Sequence, residues 1–304
     1  VIAYLVFTLT IGGIYALLAL SLNLIWGGIG LVNLGLAGFF AIGAYTSAIL
    51  SGAGAPILFG WAAALVVGAV AGAVVTLATT RLRDDYLAIV TLGLAEIIRL
   101  IASNEIWLTK GTDGMSGIAA PFKSALGNVR YGIFYLALIS VFVVAVWMLL
   151  RRIDRSPYGR VSKAIREDQE LVGFAGKAAT RFKVEVFALS AAIAGLAGAL
   201  YAHFQSYISP DHFEPMVTIY IFLAVAAGGL GRPAGGVVGA YAVVGFLEVT
   251  RFGAALVPWL APVQTAAVRE MLVGMALLLI LRWRPQGMLA EFQPPAFPQN
   301  KRLQ

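Results

Sequence analysis

No cysteine occurs among the 304 residues, which excludes disulfide cross-links, thiol catalysis and thiolate metal sites and leaves the redox compartment undetermined. Histidine is nearly as scarce. His203 and His212 stand alone, without an H-E-x-x-H pair, so no zinc centre is expected. Charge is thin as well, at 12% of residues against 60% hydrophobic. A phosphate-binding loop is missing: the one Gly-Lys pair, Gly176-Lys177, has Leu171 where the first glycine of such a loop must stand. The chain therefore carries no nucleotide-binding loop of its own, and no cofactor, metal or catalytic residue is assigned to it.

Long apolar runs are what the sequence has in abundance. Its mean hydropathy is +0.86, and its apolar share exceeds the ~45–50% of soluble domains. Several runs reach the roughly 20 residues that a helix needs to cross the hydrocarbon core. The ten-residue alternation of a membrane barrel is not seen. The 34 glycines suit helices packed closely in lipid. These features predict an all-α, polytopic transmembrane helical bundle forming a single domain over 1–304, with some helices short or broken. Nine crossings are expected, at 1–26, 31–51, 57–80, 86–103, 131–150, 184–207, 217–230, 235–252 and 266–283. The first run lacks a basic n-region and a small-residue cleavage site, so it is not read as a signal peptide.

The net charge of +7 collects beside the apolar runs, which points to membrane topology rather than to nucleic acid. Nine Lys/Arg lie between 151 and 183; Arg81 and Arg83 lie two crossings upstream, and Arg282, Arg284, Lys301 and Arg302 four crossings downstream. Positive charge is retained on the cytoplasmic side. The segment 151–183 and the tail 284–304 are accordingly expected in the cytoplasm, with the N-terminus outside. The run 217–230 is too short for a full span. It is expected to continue as irregular backbone through "GGLGRPAGG", with Gly228, Gly229, Gly231, Pro233 and Gly235 as a hinge. Small-residue ladders at Gly231/Gly235/Gly239, Ala191/Gly195/Ala199 and Gly68/Gly72 imply tight helix packing, within the chain or against a second membrane subunit.

A few polar residues interrupt the apolar runs. Asn23 and Asn33 bracket Gly27, Gly28 and Gly30. Their amides either join helices or line a polar pathway at a broken helix. Glu96 with Arg99, and Glu248 with Arg251, are spaced to pair on one helix face. Both pairs are candidates for substrate contact or for snorkelling at the outer helix ends. "SPDHFEP", with His212 between Asp211 and Glu214, reads as an outer surface cluster, and "LTKGTDGMSGI" (108–118) as an outer glycine-rich loop.

The stretch 156–183 is different in kind. Ser156-Pro157 is a helix start. Val161, Ala164, Ile165, Val172 and Ala175 then recur at near-helical spacing, with Asp168 breaking the stripe and Gly173 and Gly176 expected to end the helix. An amphipathic helix with charges of both signs suits docking to a soluble partner that changes shape. The residues expected to carry that coupling are Lys163, Ala164, Ile165, Arg166, Glu167, Asp168, Glu170, Gly173 and Gly176.

"LALSLNLIWGGIGLVNLGLAGFFAIGAY", "GTDGMSGI", "SPYGRVSKAIREDQELVGFAGKAATRFK", "AAGGLGRPAGGVVGA" and "VREMLVGMALLLILRWRPQGML" follow one another in an order that resembles the M-type (LivM-like) permease subunits of bacterial ABC importers for branched-chain amino acids. The resemblance covers nearly the whole chain. It implies that "SKAIREDQELVGFAG" is the loop docking an ATP-binding subunit. It also implies a heteromer of this chain, a second permease subunit, two ATP-binding subunits that hold ATP and Mg, and a periplasmic substrate-binding protein, set in the inner membrane. Relatives of this architecture also carry urea, short amides and aromatic carboxylates, so cargo stays open. An ion-coupled secondary transporter would need charges near the bilayer midplane, and a membrane scaffold would leave the coupling helix without a use.

Overall fold

A computed structural model of the chain describes residues 2–79, 84–255, 262–284 and 286–289. Arg81, Arg83, Lys301, Arg302 and most of the tail 284–304 lie outside the described residues. Each of the nine apolar segments folds as a helix: α1 (Ile2–Ile29), α2 (Leu36–Gly52), α3 (Ile57–Thr79), α4 (Asp84–Asn104), α6 (Lys123–Arg155), α9 (Ala179–Gln205), α10 (Pro215–Gly228), α11 (Pro233–Ala255) and α12 (Pro262–Trp283). Three short helices lie between them, α5 (Ile106–Thr109), α7 (Pro157–Glu167) and α8 (Gln169–Phe174). Among the described residues six helices are long and apolar enough to cross a membrane: α1, α3, α4, α6, α9 and α11. The expected nine crossings are thus not all full-length spans. α2 and the 270–280 part of α12 are shorter apolar helices, and α10 has 14 residues.

The reason two of the helices are short lies in how the chain reaches them. Gly30 to Gly35 run as non-helical backbone into the bundle, where Leu34 N–H donates to Thr91 Oγ1 of α4 at 3.1 Å. The chain before α10 enters through a short 3-10 turn, Pro210–Phe213. Phe213 is buried there, with its ring 5.2 Å from Phe40 and 5.7 Å from Tyr45. The two starts meet, because Ala37 N–H donates to Thr218 Oγ1 at 3.1 Å. Irregular backbone at such a place is tolerated because protein groups satisfy its amides. α1 is also less broken than expected: it runs through Gly27 and Gly28 to Ile29.

α9 is the central helix, packed against α2, α3 and α1. The sequence ladders are used here within the chain. A Cβ at Gly68 would lie 2.6 Å from the Ala191 carbonyl oxygen, and one at Gly195 2.6 Å from that of Ala64. Glycine lets these backbones touch. Buried polar groups then fasten α9. Ser190 and Ser21 hydroxyls lie 2.8 Å apart, Tyr135 donates to the Leu200 carbonyl at 2.7 Å, and His203 bridges Ser47 Oγ (2.8 Å) and the Ala119 carbonyl (2.6 Å).

The loop 108–118 holds the last residues of α5, a 3-10 turn at 111–113 and a two-residue strand, β1 (Met115–Ser116), paired antiparallel with β2 (Tyr207–Ile208). This pair adds a small strand element to an otherwise helical chain. At the same end His212 is not a loose surface residue. Its Nδ1 lies 3.2 Å from Tyr201 Oη, and its ring meets Tyr201 and Tyr207 edge-on. Burial holds its pKa below the ordinary histidine value, against the upward pull of Asp211. Asp211 and Glu214 are exposed.

Candidate functional site

The opposite end of the bundle gathers α7, α8, the end of α1, the α10–α11 turn and residues 286–289. Ser156 is extended, and its Oγ accepts from Gly159 N–H at 3.3 Å, with Pro157 opening α7. The helix does not continue to Gly173 or Gly176 as expected. Asp168 stops it: its backbone is extended (φ −154°), and its carboxylate accepts from Leu171 N–H at 3.0 Å to cap α8. An aspartate side chain that competes for backbone amides favours such a break. Gly173 lies inside α8, and Gly176 (φ +75°) makes the turn after it.

α7 is strongly amphipathic and lays Ser162 and Ile165 inward against α1 and α6. Two cations fix it. Lys163 Nζ binds Asp154 of α6 at 2.7 Å. Arg166 reaches further, donating from Nη1 to the Gly27 carbonyl in the last turn of α1 while its Nη2 meets Glu167 at 3.1 Å. A cation at that position also complements the negative helix end. Gly30 makes room for it. Its φ is +82°, and a Cβ there would sit 2.8 Å from Arg166 Cγ.

One helical turn before Gly27, Asn23 bonds the α10–α11 turn through both ends of its amide. Nδ2 donates to the Arg232 carbonyl at 2.6 Å, and Oδ1 accepts from Gly231 N–H at 2.9 Å. A Cβ on Gly27 would fall 2.5 Å from Gly231 N. Arg166, Gly27, Asn23 and Gly231 therefore form one contiguous line from α7 to the turn. Beside it, Asn23, Gly28, Asp154, Ser162, Lys163 and Gly231 border a cavity of about 40 Å³, enough for one or two waters. The expected coupling, pathway and hinge sets thus meet at Arg166, Asn23, Gly27, Gly28, Gly30 and Gly231.

The helix break between α10 and α11 is narrower than the segment expected as a hinge. Irregular backbone covers only Gly229 to Arg232; Gly228 ends α10, while Pro233 and Gly235 belong to the first turn of α11. Proline's fixed φ suits the first position of a helix. Gly231, Gly235 and Gly239 consequently do not form one helix face, and the latter two pack on Gly228 and Ala224 of α10. A contact with no signal in the helical patterning closes the turn from outside. Met288 N–H donates to the Ala227 carbonyl (2.8 Å) and Leu289 N–H to that of Gly228 (2.9 Å). Residues 286–289 so cap α10, whose Gly229 has φ +120°.

The remaining pathway residues lie elsewhere. Asn33 is fully buried and accepts from Gly35 N–H at 2.9 Å; its Nδ2 has no partner among the described residues. Glu96 pairs with Arg99 at 2.6 Å on a half-exposed face of α4. Glu248 accepts from Tyr4 Oη and lies 3.7 Å from Arg251, whose guanidinium stands over the Tyr4 ring. Neither carboxylate joins the others.

Ala164 and Glu170 are exposed, and α8 carries two apolar side chains that the described residues leave uncovered. Leu171 is 65% exposed and Phe174 88%. They project from α8, between the acidic Glu167, Asp168 and Glu170 and the basic Lys177.

Residues 4–281 match the family described as the branched-chain amino acid transport system permease component. The high-affinity branched-chain amino acid transport system permease protein LivM of Salmonella typhimurium is 33% identical over 305 residues, covering 92% of this chain and 69% of that protein. Its Escherichia coli counterpart is 32% identical over 309 residues, 94% of this chain and 70% of the relative. The LivH permease protein of Escherichia coli is 22% identical over 250 residues, 76% of this chain and 79% of its own. No solved structure matches the chain. A multi-pass helical bundle with these relatives, matched along almost all of its length, belongs to the permease components of branched-chain amino acid transport systems.

Proposed function

We propose that the chain is one membrane subunit of an ATP-driven importer that moves leucine, isoleucine or valine into the cytoplasm. Its partners are a second permease subunit, two ATP-binding subunits that supply ATP and Mg, and a periplasmic binding protein. The observation that carries this is the tip of α8. Leu171 and Phe174 are apolar, exposed and framed by charges of both signs, and each gains roughly 1.5–3 kcal/mol when covered. They sit on a segment tied by Arg166 to α1 and through Asn23 to the α10–α11 turn, so a partner that moves α7 and α8 pulls on the membrane helices. The LivM and LivH relatives support both the amino acid cargo and the pairing of two permeases.

Co-expressing the chain with its neighbouring permease, ATPase and binding-protein genes in cells unable to take up leucine should restore uptake. Isoleucine and valine should compete for it. Uptake of urea, short amides or an aromatic carboxylate instead, with none of leucine, would reject the cargo.

Orientation is tested separately. The proposed orientation puts Lys163 and Lys177 in the cytoplasm and Lys110 and Lys123 outside. In this cysteine-free chain, single cysteines at 110 and 123 should react with an impermeant thiol reagent in intact cells, and those at 163 and 177 only after lysis. Labelling of 163 but not 110 in intact cells would invert the orientation.

A further inference from the structure

The arginines at the end of α6 do more than count as positive charge. Val141, Val144 and Met148 are exposed along one stripe of α6, at 66%, 44% and 49%. Arg151 or Arg152, and then Arg155, continue the same stripe at helical spacing. One helix face is thus apolar for two turns and cationic for its last. Where it turns cationic the surface becomes concave. One lobe of about 490 Å³ is lined by Trp147, Met148, Arg151, Arg152, Arg155 and Ser156. A second, of about 430 Å³, shares Trp147, Arg151 and Arg155 and adds Asp154, Lys163 and Arg232.

The charge in this cleft is unbalanced. Among the described residues Asp154 is its one carboxylate, and Lys163 holds that at 2.7 Å. The guanidiniums of Arg151, Arg152, Arg155 and Arg232 have no carboxylate within ion-pair distance among the described residues. Arg151 lies 5.1 Å from the Trp147 ring centroid, and this cation–π contact holds the guanidinium at the cleft wall. The far wall is the start of α11, at Pro233 and Ala234, whose dipole presents its positive end. Trp147 is half-buried, as suits a ring at the level of lipid headgroups.

We propose that this cleft is a binding site for an anionic phospholipid. Its phosphate would lie among Arg151, Arg155 and Arg232, and an acyl chain along Val141, Val144 and Met148. Guanidinium forks match phosphate geometry, and basic pockets between membrane helices bind acidic headgroups. The proposal rests on the helical membrane bundle alone and does not depend on cargo or on an ATPase partner.

The full chain, purified in mild detergent, would be titrated with phosphatidylglycerol and with phosphatidylcholine of the same acyl chains, and bound lipid counted by native mass spectrometry. Phosphatidylglycerol is expected to bind about a hundredfold more tightly. Each arginine lost should weaken it about fivefold, so R151Q/R155Q/R232Q should lose on the order of a hundredfold and fall to the phosphatidylcholine level. The triple lysine variant, which keeps charge but loses the fork, should lie between. It also serves as the test if the glutamine variant does not elute as a single species. R160Q/K177Q, which removes two charges outside the cleft, should bind as the unaltered chain does. Unchanged phosphatidylglycerol affinity in the arginine variants would overturn the site. So would an equal loss in R160Q/K177Q, which would mean diffuse attraction. Displacement by millimolar inorganic phosphate, beyond that by chloride at equal ionic strength, would make it a free-anion site and overturn the lipid assignment.

Discussion

Replacing Leu171 and Phe174 together with alanine should cut ATP-driven uptake about a hundredfold or more while the chain remains in the membrane at its usual level. Covering each side chain is worth roughly 1.5–3 kcal/mol, and every ~1.4 kcal/mol is tenfold in affinity. Losing both therefore removes on the order of 3–6 kcal/mol of docking. Because the two are exposed at 65% and 88%, truncation leaves the bundle's own stability within about 0.5 kcal/mol. Uptake, substrate-stimulated hydrolysis and co-purification of the ATP-binding subunits should all fall together. Full co-purification with normal uptake would show that α8 is not the docking surface.

A different signature is expected of Arg166. Changing it to leucine removes the charged donor to the Gly27 carbonyl but leaves Leu171 and Phe174 untouched. A hydrogen bond from a charged group contributes about 1.5–3 kcal/mol, so uptake should drop roughly tenfold to a hundredfold. The ATP-binding subunits should stay bound, and hydrolysis should persist without transport. Gly30→Ala should behave similarly, since a methyl group at φ +82° strains the backbone and presses on Arg166. Assays of uptake per ATP hydrolysed in proteoliposomes would separate the two sites. If uptake and hydrolysis decline in parallel in the Arg166 variant, the residue serves docking and transmits nothing.

The helices were legible in the sequence because burial in lipid selects for unbroken apolar runs, and all nine appear as helices. The i, i+3 pairs were legible for the same reason: Glu96 and Arg99 need only one helix to meet. What depends on two elements was not. Asn23 read equally as a helix-joining or a pathway residue, and only the position of the α10–α11 turn shows what its amide bonds to. The break at Asp168 was visible as an interruption of the stripe, yet the capping that splits α7 from α8 depends on a backbone angle. Residues 286–289 carry no periodic pattern, so their role as a cap on α10 had no helical signal. The arginines ending α6 read as topology in one dimension, whereas the cleft they line needs Arg232 from a segment far along the chain.

The meeting of α2 and α10 inside the bundle bears on what holds a short helix in the membrane. The 14 residues of α10 reach about 21 Å, short of the ~30 Å hydrocarbon core, and the chain reaches them through a 3-10 turn at Pro210–Phe213 and the extended Glu214. Such a segment is apolar but short, so packing must supply what a full span would have given. The pocket for Phe213 is built by Phe40, Tyr45 and Tyr201, and the amide of Ala37 waits for Thr218. With α2 and α9 in place, α10 completes the bundle by docking onto the surface that they form. α10 thus depends on packing as well as on its apolar sequence: α2 and α9 supply the surface that makes up for its short length.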